Sequence, residues 1–99
     1  MSVALLIRDT ADAQQRLVPV AAQQTFVATW LPSAIALGLA WVPLAETGFD
    51  VTSDNRTAVV VELEQLRACL PAYDVERLDR LVAELRALRF DAGATAFLG

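Results

Sequence analysis

Val3-Ala4-Leu5-Leu6-Ile7, closed by Arg8-Asp9, is the stretch that decides how this chain is read. Five consecutive apolar residues that end on two charges match a central strand buried on both faces. Such a strand asks for helices on either side, and that points to a sheet with at least some parallel pairing. Downstream, Thr10 to Gln15 is polar and reads as a loop or single turn. Leu17-Val18-Pro19-Val20-Ala21 can extend as a second strand, but Pro19 has no N–H to give to a ladder and confines it to an edge.

From Thr25 to about Leu37, Phe26, Trp30, Ala34 and Leu37 fall on one side of a helix, with Gly38 as its terminator. Pro32 lies inside this segment, so the helix either kinks there or ends and restarts at Ser33. Leu39-Ala40-Trp41-Val42-Pro43-Leu44 then reads as another apolar strand, and Glu46-Thr47-Gly48-Phe49-Asp50 as an acidic, turn-bearing connection. Thr52 or Ser53 offers an N-cap, with Asp54 in the first turn of the helix that follows. Val59, Leu63, Leu66 and Leu70 make a helical face, although Val59-Val60-Val61 favours a strand locally, so residues 54–61 could open in either form.

Pro71 ends that element and Asp74 caps the next helix, where Val75, Leu78, Val82 and Leu85 repeat at heptad-like spacing. Leu81 and Leu88 widen the stripe, and Glu76 with Arg80 makes an i,i+4 pair. Asp91-Ala92-Gly93 turns the chain into a short buried strand, Ala94 to Leu98. The expected fold is therefore an α/β sandwich formed by residues 1–99 as a single domain. It has a small, partly parallel sheet of three or four strands and about three helices, including a C-terminal helix pair.

The 99 residues include no histidine and no lysine, and they hold one cysteine (Cys69) and one tyrosine (Tyr73). That inventory removes the commonest general base, the Schiff-base amine and the usual transition-metal ligands. Four scattered glycines form no phosphate loop, and neither a cofactor nor a metal is expected. Twelve acids against eight arginines give a net charge of −4, the wrong sign for nucleic acid and a suitable one for a basic protein partner. A single cysteine forms no internal disulfide, which suits a reducing cytoplasm. Charged residues are 20% of the chain, low enough that apolar surface could be covered by a partner or by further copies of the chain.

No charge occurs between Arg16 and Glu46, a run long enough to span a bilayer. Pro19, Pro32 and Pro43 divide it, four glutamines crowd its start, and no basic cluster flanks it. Trp30 and Trp41 would stand ~16 Å apart in a helix, too close for two interfacial belts. A spanning helix over residues 25–45 is not expected, and Val3 to Ile7 is too short for a signal-peptide core.

Two sets of residues are candidate sites. Glu46, Asp50 and Asp54 surround Phe49, a pattern suited to docking on a basic protein with the aromatic as anchor; alternatively Phe49 folds into the core and the acids are solvated. Asp9 and Asp12 follow the first strand, where α/β sheets bind ligands, and could with Asp91 offer oxygen ligands; alternatively they mark where the strand stops.

The opening strand Val3–Asp9, the segment Thr25-Phe26-Val27-Ala28-Thr29-Trp30-Leu31-Pro32, the Leu39–Leu44 stretch, the two Leu-rich helices and the closing Gly93–Gly99 strand together carry a family likeness. The chain resembles small acidic bacterial immunity proteins that neutralise polymorphic or contact-delivered toxins. The resemblance implies a non-enzymatic inhibitor that occludes a basic toxin or enzyme. The alternatives are a homo-oligomeric structural or adaptor subunit, or a small-molecule-binding domain.

Overall fold

Four strands pair in the order β2-β1-β4-β3, every neighbour antiparallel. A computed structural model of the chain describes residues 2–9 and 14–99. The strands are β1 (Ser2–Asp9), β2 (Gln14–Ala22), β3 (Phe49–Val51) and β4 (Thr95–Leu98). The expected partly parallel sheet is thus replaced by an antiparallel one. Asp9 pairs with Gln14 across a four-residue connection, which suffices for a hairpin, whereas a parallel return needs a crossover of about a dozen residues.

The expected strand at Leu39–Leu44 does not form either. Val42–Glu46 is a 3₁₀ turn instead, and the strand lies later, at Phe49–Val51, inside the segment read as a connection. The Glu62 carboxylate explains the shift: it accepts the backbone N–H of Ala40 (3.0 Å), Trp41 (2.8 Å) and Val42 (2.9 Å). Three consecutive amides turned toward one anion form a concave nest, which is incompatible with the alternating directions of a strand.

β1 is central as expected, but it is covered on one side. Val3, Leu5 and Ile7 are buried, whereas Ala4 and Leu6 are half-exposed and Arg8 is exposed. β2 is an edge strand, as Pro19 required. Pairing passes from Val3–Ala21 to Ala4–Pro19, so Val20 is the extra residue of a bulge, a site that tolerates a proline.

The helical segment over residues 23–36 is continuous. It begins as α1 (Gln23–Thr25), widens to a π-helix (Phe26–Trp30) and continues as α2 (Leu31–Ala36). Pro32 accounts for the widening. Its ring would strike the carbonyl four residues back, and the wider turn, with Leu31 N–H on Phe26 O, makes room. Gly38, at φ 72°, ends the segment: its N–H reaches Ile35 O and that of Leu39 reaches Ala34 O, the Schellman pattern.

The C-terminal pair is α3 (Arg56–Leu66) and α4 (Ala72–Ala87). Residues 56–61 are helical despite three valines, because Val59, Val60, Leu63 and Leu66 are buried, and that burial outweighs a few tenths of a kcal/mol of propensity. Neither Thr52 nor Ser53 is the N-cap. Asn55 holds that position, accepting the Thr52 N–H at 2.8 Å and donating to Asp50 O at 2.9 Å, which ties β3 to the helix start. Pro71, rather than Asp74, precedes α4. Asp74 is buried in its first turn, where the helix dipole favours a carboxylate. Leu78, Leu81, Val82, Leu85 and Leu88 are all buried, as their spacing predicts.

All the covering helices lie on the face that carries Val3, Leu5, Ile7, Val18, Val51, Ala96 and Leu98. Trp30, 1% exposed, and Phe26 fill the space between that face and the helices, with ring centroids 6.0 Å apart. Arg56 fastens the far end: its Nη1 donates to Leu88 O at 2.7 Å and its guanidinium lies 5.1 Å from the Phe90 ring. Among the described residues, no helix is long and apolar enough to cross a membrane.

Candidate interaction surface

The acidic residues singled out in the sequence surround β3. Glu46 ends the 3₁₀ turn, Asp50 is the middle residue of β3, and Asp54 lies in the turn before α3; all three are exposed. Phe49 does not join them as an exposed anchor. It pairs with Leu98 on the covered face, is half-buried against the core, and packs on Trp41 at 5.5 Å between centroids. Strand alternation separates the two neighbours, with Phe49 turned inward and Asp50 outward.

Phe97 supplies the exposed aromatic. It is 40% exposed and stands directly opposite Asp50. Its ring lies over glycine backbone, since a Cβ on Gly48 would come 2.3 Å from Phe97 Cζ, and one on Gly99 would meet Phe97 Cε1 at 2.8 Å. The cross-strand register extends the row: Leu17 pairs with Leu6, Leu6 with Phe97, and Phe97 with Asp50. Three apolar side chains and one carboxylate thus line up across all four strands. Gln15, Arg8 and Thr95 form a polar row on one side, and Pro19 opposite Ala4 forms a small-residue row on the other. Leu17 is 65% exposed. A contiguous apolar face with polar margins marks an interaction surface more often than scattered exposed leucines do.

This surface could have been found from the period-two pattern Thr95-Ala96-Phe97-Leu98. In β1 the same alternation is hidden, because both faces carry apolar residues.

The ligand-site candidates stand apart. Asp9 ends β1 in a hairpin, so the strand-end site of a parallel sheet does not arise there; Asp12 lies outside the described residues. Asp91 is exposed and receives Arg89 Nε at 3.4 Å. No group of three His, Cys, Asp or Glu among the described residues is placed to hold a metal ion. Cys69 is exposed at the end of a 3₁₀ turn.

A depression of about 380 Å³ is lined by Pro19, Tyr73, Glu76, Arg77 and Arg80. Two of its polar groups are engaged with each other: Arg77 lies over the Tyr73 ring at 4.9 Å and donates to its hydroxyl at 2.6 Å. Glu76 and Arg80 are not among the ion pairs of the described residues, which are Arg16–Glu84, Arg67–Asp79, Glu64–Arg86 and Arg89–Asp91. The strongest of these by geometry is Arg67–Asp79, with Nε to Oδ1 at 2.8 Å and Nη2 to Oδ2 at 3.0 Å. That fork of hydrogen bonds holds the Asp79 carboxyl below its ordinary value.

No family model, curated protein or solved structure matches this chain.

Proposed function

We propose that this protein is a non-enzymatic binding protein that occludes a basic protein partner, as an immunity-type inhibitor would. The carrying observation is the exposure of Glu46 and Asp54, before and after β3, and of Asp50 within it, directly opposite the aromatic ring of Phe97. Carboxylates in that position steer a basic partner, and a half-exposed ring on a rigid sheet loses little entropy on docking. An inventory without His or Lys supports binding over chemistry. The lone, exposed Cys69 suits a reducing cytoplasm as the place of action.

The test is a pull-down from the native cell at low and moderate salt, comparing the natural protein with a Glu46→Arg/Asp54→Arg variant. One stoichiometric basic protein, weakened by salt and lost with the variant, supports inhibition by occlusion. An identical set of captured proteins for both baits overturns it.

A further inference from the structure

We propose that the open sheet face seats a second copy of this chain. A two-fold axis would set Arg8 of each protomer against Asp50 of the partner subunit. The proposal rests on the binding-protein reading and names the occupant of one of its surfaces.

Arg8 and Asp50 both project from the open face. Neither side chain bonds to any described residue. Two strand spacings and two residues along the strand separate them, which amounts to ~12 Å. On β4, between them, stand Thr95 and Phe97, with Leu6 beside Phe97 on β1. A two-fold axis in the plane of contact, midway between the two charges, exchanges them. Each arginine then meets a carboxylate, and Phe97 of one protomer comes to rest near Leu6 of the partner subunit.

Charge selects this occupant over the others. A uniformly basic protein seated on the whole face would meet Arg8, and a uniformly acidic one would meet Asp50, at a cost of several kcal/mol for a like-charge contact. A second copy answers both with one isologous contact, the commonest symmetry of soluble oligomers. The second copy and the basic partner therefore compete for Asp50 and Phe97, whereas Glu46 and Asp54, four residues before and after Asp50 in the chain, stay outside these pairings and answer the basic partner alone.

With β3 and β4 only three and four residues long, the face offers several hundred Å², near the low end of specific interfaces, so a weak dimer in the micromolar range is expected. Sedimentation equilibrium of the purified protein over roughly 1 μM to 1 mM brackets that range. The mass should rise toward twice 10.7 kDa. Arg8→Asp and Asp50→Arg should each weaken the dimer by about tenfold or more, and the two together should restore it to within about threefold. Both sites are exposed, so the circular dichroism and melting of each variant should match the parent.

A monomer at the highest concentration would overturn the proposal. So would a dimer that either single swap leaves intact, or one that the double swap fails to rescue. None of these outcomes touches Glu46 or Asp54, so the dimer can fail while the pull-down of a basic partner succeeds, and the reverse.

Discussion

The two faces of the sheet are built from the same apolar stretch and end differently. On β1, Val3, Leu5 and Ile7 are at most 3% exposed, while Ala4, Leu6 and Arg8, the alternate residues, meet solvent. Nothing in the chemistry of Leu5 and Leu6 distinguishes them. What differs is that the helical segment 23–36 and the α3–α4 pair all cover one side. An apolar run therefore reports a strand, but not the number of layers around it. Leucine and phenylalanine left on an uncovered face add little to folding and mark a surface suited to association.

The sharpest way to break this comparison is to truncate both leucines. Leu5→Ala removes a fully buried side chain and should cost about 2–5 kcal/mol of folding stability in urea titrations. Leu6→Ala should cost about 1 kcal/mol or less in the monomer, and show its main effect on self-association. Equal losses from both would mean that the outer face is part of the folding core, and the two-layer description would be wrong.

Glu62 tests the covered side from its loop. From α3 its carboxylate accepts the amides of Ala40, Trp41 and Val42, and so shapes the passage from α2 toward β3. Glu62→Ala leaves the partly buried amides of Trp41 and Val42, and the exposed one of Ala40, without their acceptor and should cost about 1–3 kcal/mol. Glu62→Gln keeps one good acceptor oxygen and should fall between that value and the parent. Amide hydrogen exchange at residues 40–42 should accelerate in both. No change at those amides would remove Glu62 as the reason this segment is a nest.

That same contact marks where the sequence stops being legible. The edge position of β2 follows from Pro19 alone, the end of the first helical segment from Gly38, and the burial of Leu63, Leu66, Leu78 and Leu85 from helical spacing. Each is a local property. The conformation of Leu39–Leu44 is not local: its apolar residues suit a strand, and a carboxylate some twenty residues later turns the backbone instead. The parallel expectation failed although the order of strands and helices along the chain was legible, because which strands pair, and in which direction, is a tertiary fact. Of the candidate site, the acids Glu46, Asp50 and Asp54 were legible because isolated charges in turns and on edges are solvated. Phe49 follows the core alternative that its sequence context left open, and Phe97, read only as part of a buried strand, faces out, since strand alternation, not proximity to acids, decides which ring is exposed.

Gly48 sharpens the outer half of the comparison. At φ 102° it occupies a conformation that suits glycine, and the Phe97 ring covers its Cα. Gly48→Ala should cost about 1–2 kcal/mol, from backbone strain and from moving a ring that can swing toward solvent. Because Phe97 is the aromatic of the open face, the same variant should weaken the dimer more than its loss of stability accounts for. A stability loss with an unchanged dimer would show that the ring position does not matter to association.

The smallest effect is expected farthest from the sheet, on the outer surface of the helical layer. Arg67 and Asp79 join the end of α3 to α4 by two hydrogen bonds, but both are exposed to water, which screens their attraction. The fork lowers the Asp79 carboxyl below its ordinary value of 3.8, with desolvation opposing the shift and the charge of Arg67 adding to it. A carboxyl whose folded value is depressed stabilises the fold at pH above its unfolded value, and that contribution disappears as pH falls through the folded one. Asp79→Asn should therefore lower the urea midpoint slightly at pH 7, by an amount that shrinks as the pH is lowered toward 2. A difference that persists at pH 2 would assign the loss to the packing of Asp79 instead of its charge. A large loss at pH 7 would show that the helical layer depends on its rim as well as on Leu63, Leu66 and Leu78, and the contrast between covered and open faces would need a third term.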